Sequence, residues 1–397
     1  MFNIRVITIA IVIDIVYLRY GKALIINLPT YSSYMKKLFF LLAVIFFLGC
    51  ETDLDVKAPY QKIPVSYCLL DQNESYHFVK VTKLFNGDLD ANEMAKVRDS
   101  SEVDVQSIFV EELIDGNVVK TYSLQDTIVS TKEAGDFYYP DQKIYYFIEP
   151  NLNASSQYRL TVDIGGDEPA VATIGLIQNT NVFQDVTWQR FRPPGIISFA
   201  SNGDLTDLEV AVVPPTNGKR TEVNMYFTYC TKFLDGSYDI DTIRYELGSK
   251  VILDPENPKE QAFRLIEGTF YSRIVSEIPD ADETPNIDHR VPGIIFFDVV
   301  NAGEDLYYYM EVNAPTSAVF QERPPYTNFE NGLGIFSART TFNTIADFSG
   351  GVDGFNLNQE SLEIMFEGEI SLLDDDEKAQ VSGITEKGFL NGQPFCN

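Results

Sequence analysis

Asp115-Gly116-Asn117 lies between two β-rich runs, residues 104–113 and 118–124. An Asp-Gly pair in that position is a strong hairpin signal, because both residues tolerate the positive φ of a tight turn. The same alternation of short strand and turn recurs on either side. Residues 63–70, 76–84, 144–148, 157–164 and 170–174 read as strands, with turns at Asn86-Gly87-Asp88 and Gly165-Gly166-Asp167. In the 76–84 run alternation is imperfect: Val79 and Val81 share one face with His77 and Lys83, while Tyr76, Phe78 and Leu84 share the other with Lys80 and Thr82, so composition supports the strand better than periodicity does. Residues 89–101 are polar and read as a loop with a helical turn near 92–98. Strands this closely spaced over residues 61–178 describe an immunoglobulin-like β-sandwich.

Residues 179–397 read as a second β-rich domain with one or two short helices. Tyrosine (22) and phenylalanine (28) far outnumber tryptophan (1), a bias toward β-structure. Strands are expected at 182–188, 207–213, 222–233, 239–247, 294–300, 305–312 and 335–341. Leu234-Asp235-Gly236-Ser237 forms a second hairpin turn, and Arg192-Pro193-Pro194-Gly195 a rigid break. Residues 250–264 begin as a surface loop. Phe263, Ile266, Phe270 and Ile274 recur at helical spacing and predict a helix over 260–277, weakened by Gly268. Leu362, Ile364 and Phe366 alternate with Glu363, Met365 and Glu367 as in a strand that Gly368 interrupts. Asp374-Asp375-Asp376 precedes a short helix over 377–384, where acids favour the N-terminus.

The front of the chain carries an address. Lys36 and Lys37 precede an unbroken apolar run, residues 38–48, and Gly49 stands directly before Cys50. The run is too short to span a bilayer, which needs about 20 apolar residues, and fits the core of a signal peptide. Residues 35–49 are therefore expected to be a lipoprotein signal peptide and Cys50 the lipidated residue. Phe47 stands where leucine is usual. Translation is expected to start at Met35, with residues 1–34 an artefact of start-site choice. A membrane helix there would carry Asp14 at a cost of about 2.5–3.5 kcal/mol. Residues 50–60 form a short acidic tether, so the protein is expected on the outer membrane, at the cell surface or on its periplasmic face. More than one acyl chain gives firm attachment.

The chain holds 58 acidic and 30 basic residues, a net charge of −28. Residues 1–49 contribute five basic residues and one acid, so the remainder stands at −32. Such a field repels nucleic acids and anionic lipid, leaving the lipid anchor as the contact with membrane. Besides Cys50 there are Cys68, Cys230 and Cys396. An exported protein can form one disulfide among them, whereas buried free thiols suit Cys68 and Cys230 in strands. Their wide spacing matches neither a disulfide framework nor a zinc site.

Three further segments carry a likeness to a known family. Ala134-Gly135-Asp136-Phe137-Tyr138 and Tyr158-Arg159-Leu160-Thr161-Val162, leading to Ala172-Thr173-Ile174, follow the lipoprotein signal. Tyr326-Thr327-Asn328-Phe329-Glu330-Asn331-Gly332-Leu333-Gly334-Ile335-Phe336-Ser337-Ala338 comes late. With these the chain resembles a family of Bacteroidota outer-membrane lipoproteins of unknown function. The resemblance implies an accessory or binding role beside a TonB-dependent receptor, and it supplies no catalytic residues. Asn331-Gly332 and Gly334 also permit positive φ and a tight turn before the strand at 335.

Candidate chemistry is sparse. His77 sits in a strand, where a part-exposed structural histidine is expected, and His289 in a polar loop. The nucleophile-elbow, zinc-protease, P-loop and dinucleotide motifs are absent. Asp235, Asp239 and Asp241 lack the full ligand order of a calcium loop and read as solvated hairpin acids. Trp188, Tyr138-Tyr139 and Tyr307-Tyr308-Tyr309 could stack on a ligand, but strand aromatics more often pair or pack. No catalytic, cofactor or metal residues are assigned. A non-enzymatic lipid-anchored binding protein is expected. A surface hydrolase with paired carboxylates and a purely structural envelope protein are the alternatives.

Overall fold

The computed structural model describes residues 61–84, 90–178, 196–314, 325–344, 354–368 and 373–396. The signal segment, Cys50, the 50–60 tether, the strand expected at 182–188 with Trp188, and the Arg192-Pro193-Pro194-Gly195 break lie outside them.

The first half is built from β1 (Pro64–Leu70), β2 (Tyr76–Lys83), α1 (Ala91–Ala95), α2 (Arg98–Ser101), β3 (Ser107–Ile114) and β4 (Asn117–Ser123). It continues with β5 (Gln125–Val129), β6 (Gln142–Ile148), β7 (Gln157–Asp163) and β8 (Ala170–Gly175). β1-β2-β6-β5 belong to one sheet and β4-β3-β7-β8 form another. This is the immunoglobulin-like order, an ABED sheet opposed to a CFG sheet extended by one strand. Alternation dictates the packing. Cys68, Leu70, Val79, Val81, Tyr145 and Phe147 point inward from the first sheet. Val110, Tyr158, Leu160 and Val162 meet them from the second. The β3–β4 turn uses Asp115 and Gly116, both at positive φ. Tyr158, fully buried near the start of β7, accepts the Asn153 N–H at 2.8 Å, the tyrosine corner of this fold.

The second half runs through β9 (Ile196–Ile197), β10 (Ala200–Ser201), β11 (Asp204–Leu205), β12 (Leu208–Val212), β13 (Arg220–Phe233), β14 (Tyr238–Val251) and β15 (Gln261–Leu265). It ends with α3 (Thr269–Glu277), β16 (Ile287–Ala302), α4 (Glu304–Asn313), β17 (Leu333–Asn343), β18 (Asn356–Leu357), α5 (Gln359–Glu367) and α6 (Asp375–Val381). β14-β13-β16-β17 extend the first sheet into one of eight strands, because β17 pairs in parallel with β1. Val223, Met225, Phe227, Tyr245, Ile295 and Phe297 from its long strands face α3 and α5 across a second core. Phe270 of α3 stacks on Phe199 at 4.0 Å and meets Phe227 edge-on at 5.2 Å. Each half thus keeps its own core. Between them a buried polar rung crosses the sheet: Thr221 Oγ1 donates to Asn301 Oδ1 (2.7 Å), and Asn301 Nδ2 to Thr340 Oγ1 (3.2 Å).

Several expectations are corrected. The helix expected over 260–277 is only α3; residues 261–265 form β15, antiparallel to β12. Gly268, at φ 71°, separates the two, and Ile266 is 66% exposed rather than part of an apolar stripe. The strand expected at 305–312 is α4. Glu304 and Asp305 favour its N-terminus, and Ser337 Oγ accepts the Leu306 N–H at 3.0 Å, docking it on β17. The strand expected from 362 is α5. Asn358 caps it through the Ser361 N–H, Gly368 ends it at φ 78°, and the buried Ser361, Ile364 and Met365 follow helical spacing. The short C-terminal helix is α6, with a capping box between Asp374 and Glu377.

Cys230 is not a free thiol: it is bridged to Cys396, while Cys68 is free and buried. The bridge ties the C-terminal segment to β13. Arg290, buried in β16, reinforces that seam by donating to the Pro279 carbonyl (3.0 Å), Thr284 Oγ1 (2.9 Å) and the Lys387 carbonyl.

Candidate functional site

The inward face of β2 is fixed by His77, Val79 and Val81, so Tyr76, Phe78, Lys80 and Thr82 must point away from the core. On the neighbouring strands Tyr67 and Tyr146 face the same way, since Cys68, Tyr145 and Phe147 are the buried members of each alternation. The outer face of the sheet therefore bears an aromatic group. Tyr76, Phe78 and Tyr146 rings lie 6.3–6.4 Å apart. Tyr76 is 53% and Phe78 51% exposed, unusual for large rings beside fully buried neighbours.

Further along β2 the face deepens into a cleft of about 510 Å³. Its floor is Val65, Tyr67, Lys80 and Thr82 from β1 and β2. One wall is Glu102, at the end of α2, which accepts from Arg98 Nε at 2.6 Å. The other is the 130–141 loop, which contributes Lys132, Phe137 and Tyr138. That loop is held by two hydrogen bonds: Lys132 Nζ donates to the Tyr138 carbonyl (2.8 Å), and the Tyr138 N–H to the Ala95 carbonyl (2.9 Å). The Lys132 ammonium stands 5.7 Å from the Phe137 ring centre. Lys80 Nζ donates to the Lys143 carbonyl at 3.0 Å. Burial pushes the Lys80 pKa down, Glu102 opposes that shift, and the Lys132 charge adds to it. Burial, and then Tyr309 beside it, push the Tyr67 phenol up to about 12. Tyr67 meets Tyr309 of α4 edge-on at 6.3 Å.

The residues singled out in the sequence fall elsewhere or in part here. Tyr138 lines the cleft, and Tyr309 borders it through Tyr67. His77 is buried rather than part-exposed: it faces the core, its Nε2 donates to the Glu149 carbonyl (2.9 Å), and its ring packs on Phe147. His289 lies in β16 rather than a loop, buried, with Nδ1 3.0 Å from Asp288. The two histidines thus belong to separate cores. Asp235 accepts from the Ser237 N–H and hydroxyl and shapes the hairpin turn. Among the described residues, no group of three His, Cys, Asp or Glu could hold a metal ion. Glu112 and Glu149 flank the Tyr122 hydroxyl, but each is engaged: Glu112 by Ser156 Oγ (2.7 Å), Glu149 by Lys120. Sequence reasoning passed over Lys80, Lys83, Lys132 and Phe137. The alternation of Tyr76 and Phe78 against His77 and Val79 was the available clue.

No family model matches this chain, and no curated protein does. Among solved structures, the C-terminal globular domain of an oligosaccharyltransferase from Pyrococcus abyssi is similar, at 10% identity and a TM-score of 0.24. The alignment covers 60% of this chain and 47% of that one, about half its length. Likeness at that level carries no argument about function. Among the described residues, no helix is long and apolar enough to cross a membrane.

Proposed function

We propose that the protein is a non-enzymatic binding protein of the bacterial envelope, held to the outer membrane by lipid on Cys50. It presents its ligand site on the outer face of the eight-stranded sheet and serves a TonB-dependent receptor as an accessory. The observation that carries the reading is the cleft beside the exposed Tyr76 and Phe78 rings and the half-buried Tyr146, a concave site with apolar walls and a few fixed charges. The Cys230–Cys396 bridge supports it independently, because such bonds persist in oxidising compartments.

The test has two arms. Metabolic labelling with an alkyne fatty acid should mark the wild type in the outer-membrane fraction and fail on Cys50→Ala. Crosslinking in cells, followed by mass spectrometry, should recover a TonB-dependent receptor with the wild type and less with Phe78→Ala. Label retained by Cys50→Ala, or a cytosolic wild type, would remove the anchor. Equal receptor recovery by both chains, or none by either, would remove the outer face as the working surface.

A further inference from the structure

We infer that the cleft and the aromatic row beside it bind an acidic oligosaccharide, with sugar rings on Tyr76, Phe78 and Tyr146 and a carboxylate between Lys80 and Lys132. The inference rests on the outer face being a ligand site and adds the class of ligand.

Charge is the first argument. The chain as a whole is at −28, yet Lys80 and Lys132 line one cleft, near enough for the Lys132 charge to act on Lys80. Its acids are Glu102, one oxygen of which accepts from Arg98 while its charge also acts on Lys80, and Asp141. With Arg98 counted, three cations (Lys80, Lys132 and Arg98) face two acids here, a balance opposite in sign to that of the whole chain, which steers an anion to this place. An ammonium has three donors, and Lys80 directs one to the Lys143 carbonyl. Burial disfavours its charged form, so an anion beside it would stabilise that form and gain a charge-assisted hydrogen bond.

Shape is the second. Outer-face residues of β2 repeat every two positions, about 7 Å apart, so Tyr76, Phe78, Lys80 and Thr82 form a row of roughly 20 Å. That is the reach of an extended ligand of several rings, longer than one small molecule in the cleft needs. Exposed rings offer flat apolar faces to the C–H faces of sugars. Single-stranded nucleic acid also combines rings with anions. It carries a charge on every unit, however, and the −28 chain repels it more strongly for the same two lysines.

The experiment is titration calorimetry on the purified full chain with oligogalacturonate, its methyl ester, oligoglucuronate and oligo-dT. The ester keeps the rings and removes the charge. Acidic oligosaccharides should bind at least tenfold tighter than the ester, with affinity falling as salt rises. Lys80→Gln and Lys132→Gln should each weaken the acid about tenfold and leave the ester unchanged, while Phe78→Ala should weaken both. All three positions lie outside the cores, so circular dichroism should be unaltered. Equal binding of acid and ester, tighter binding of oligo-dT, or lysine variants without effect would overturn the assignment. If the ester binds as well as the acid and Phe78→Ala weakens both, the ligand class fails and the site stands. If no glycan binds and Phe78→Ala recovers the receptor as well as the wild type, both fail.

Discussion

Tyr158 and Asn153 are five residues apart, and the tyrosine hydroxyl closes the bend between them by accepting the Asn153 N–H at 2.8 Å. The chain thereby turns from the β6 side of the sandwich into β7 with its backbone satisfied. Tyr158→Phe removes the acceptor and leaves that amide without its partner. We expect a loss of about 1–3 kcal/mol in urea unfolding, with the spectrum of the native state unchanged. A change within about 0.5 kcal/mol would show that the corner is dispensable here.

Gly334 and Gly116 offer a controlled comparison. Both have positive φ, +100° and +76°. A Cβ at 116 meets open space, whereas a Cβ at 334 would run into the Ser66 carbonyl of β1. Gly116→Ala should cost about 1 kcal/mol for conformation alone. Gly334→Ala should cost well over that, because it also forces β1 and β17 apart, and thermal melting should rank the two in this order. Equal losses would mean that the parallel pairing tolerates displacement.

The cysteines should divide by chemistry. Replacing both Cys230 and Cys396 by alanine releases a link across 166 residues. Such losses are typically about 2–5 kcal/mol. Cys68 should ignore thiol reagents in the native protein, since burial raises its pKa far above the solvent range. It should react fully in denaturant without reductant. Rapid labelling of native Cys68 would contradict the packing of β1.

His77 makes stability fall in acid. Burial lowers its folded pKa below the usual 6.5, against the opposing pull of Glu149 and Glu74. Between the folded value and 6.5 the unfolded chain binds more protons. Its contribution is therefore intact above pH 6.5 and is lost as pH drops through that window, by at most about 1.4 kcal/mol per pH unit. His77→Gln cannot titrate, so its urea midpoint should depend less on pH below 6.5. Parallel curves for the two chains would exclude this source.

The sandwich was legible because the Asp-Gly and Gly-Gly-Asp turns and the β-rich composition agreed, even where alternation in β2 was imperfect. α4 and α5 were not. Three consecutive tyrosines in α4 and the even spacing of Leu362, Ile364 and Phe366 in α5 imitate strands, and propensity yields to tertiary context. The capping residue Asn358 and the terminating Gly368 were the local signs of α5. β15 was hidden because Phe263 fits a helical stripe as well as a buried strand position. The Cys230–Cys396 pairing could not be read from spacing, since a chain folded on itself through β16 and Arg290 brings distant residues together. The cleft was only half visible. Tyr76 and Phe78 announce an outward row, but Lys132 and Phe137 reach it through a loop whose path is set by the Tyr138–Ala95 hydrogen bond.

β1 is the first strand after residue 60, and it is hydrogen-bonded on both sides, to β2 and to β17. Any pull on the upstream chain is delivered along the axis of a central strand. Its bonds lie across the direction of force and must shear together rather than unzip one at a time. The molecule is thus gripped from its middle, and drag from solvent or from a moving partner is shared by the whole eight-stranded sheet.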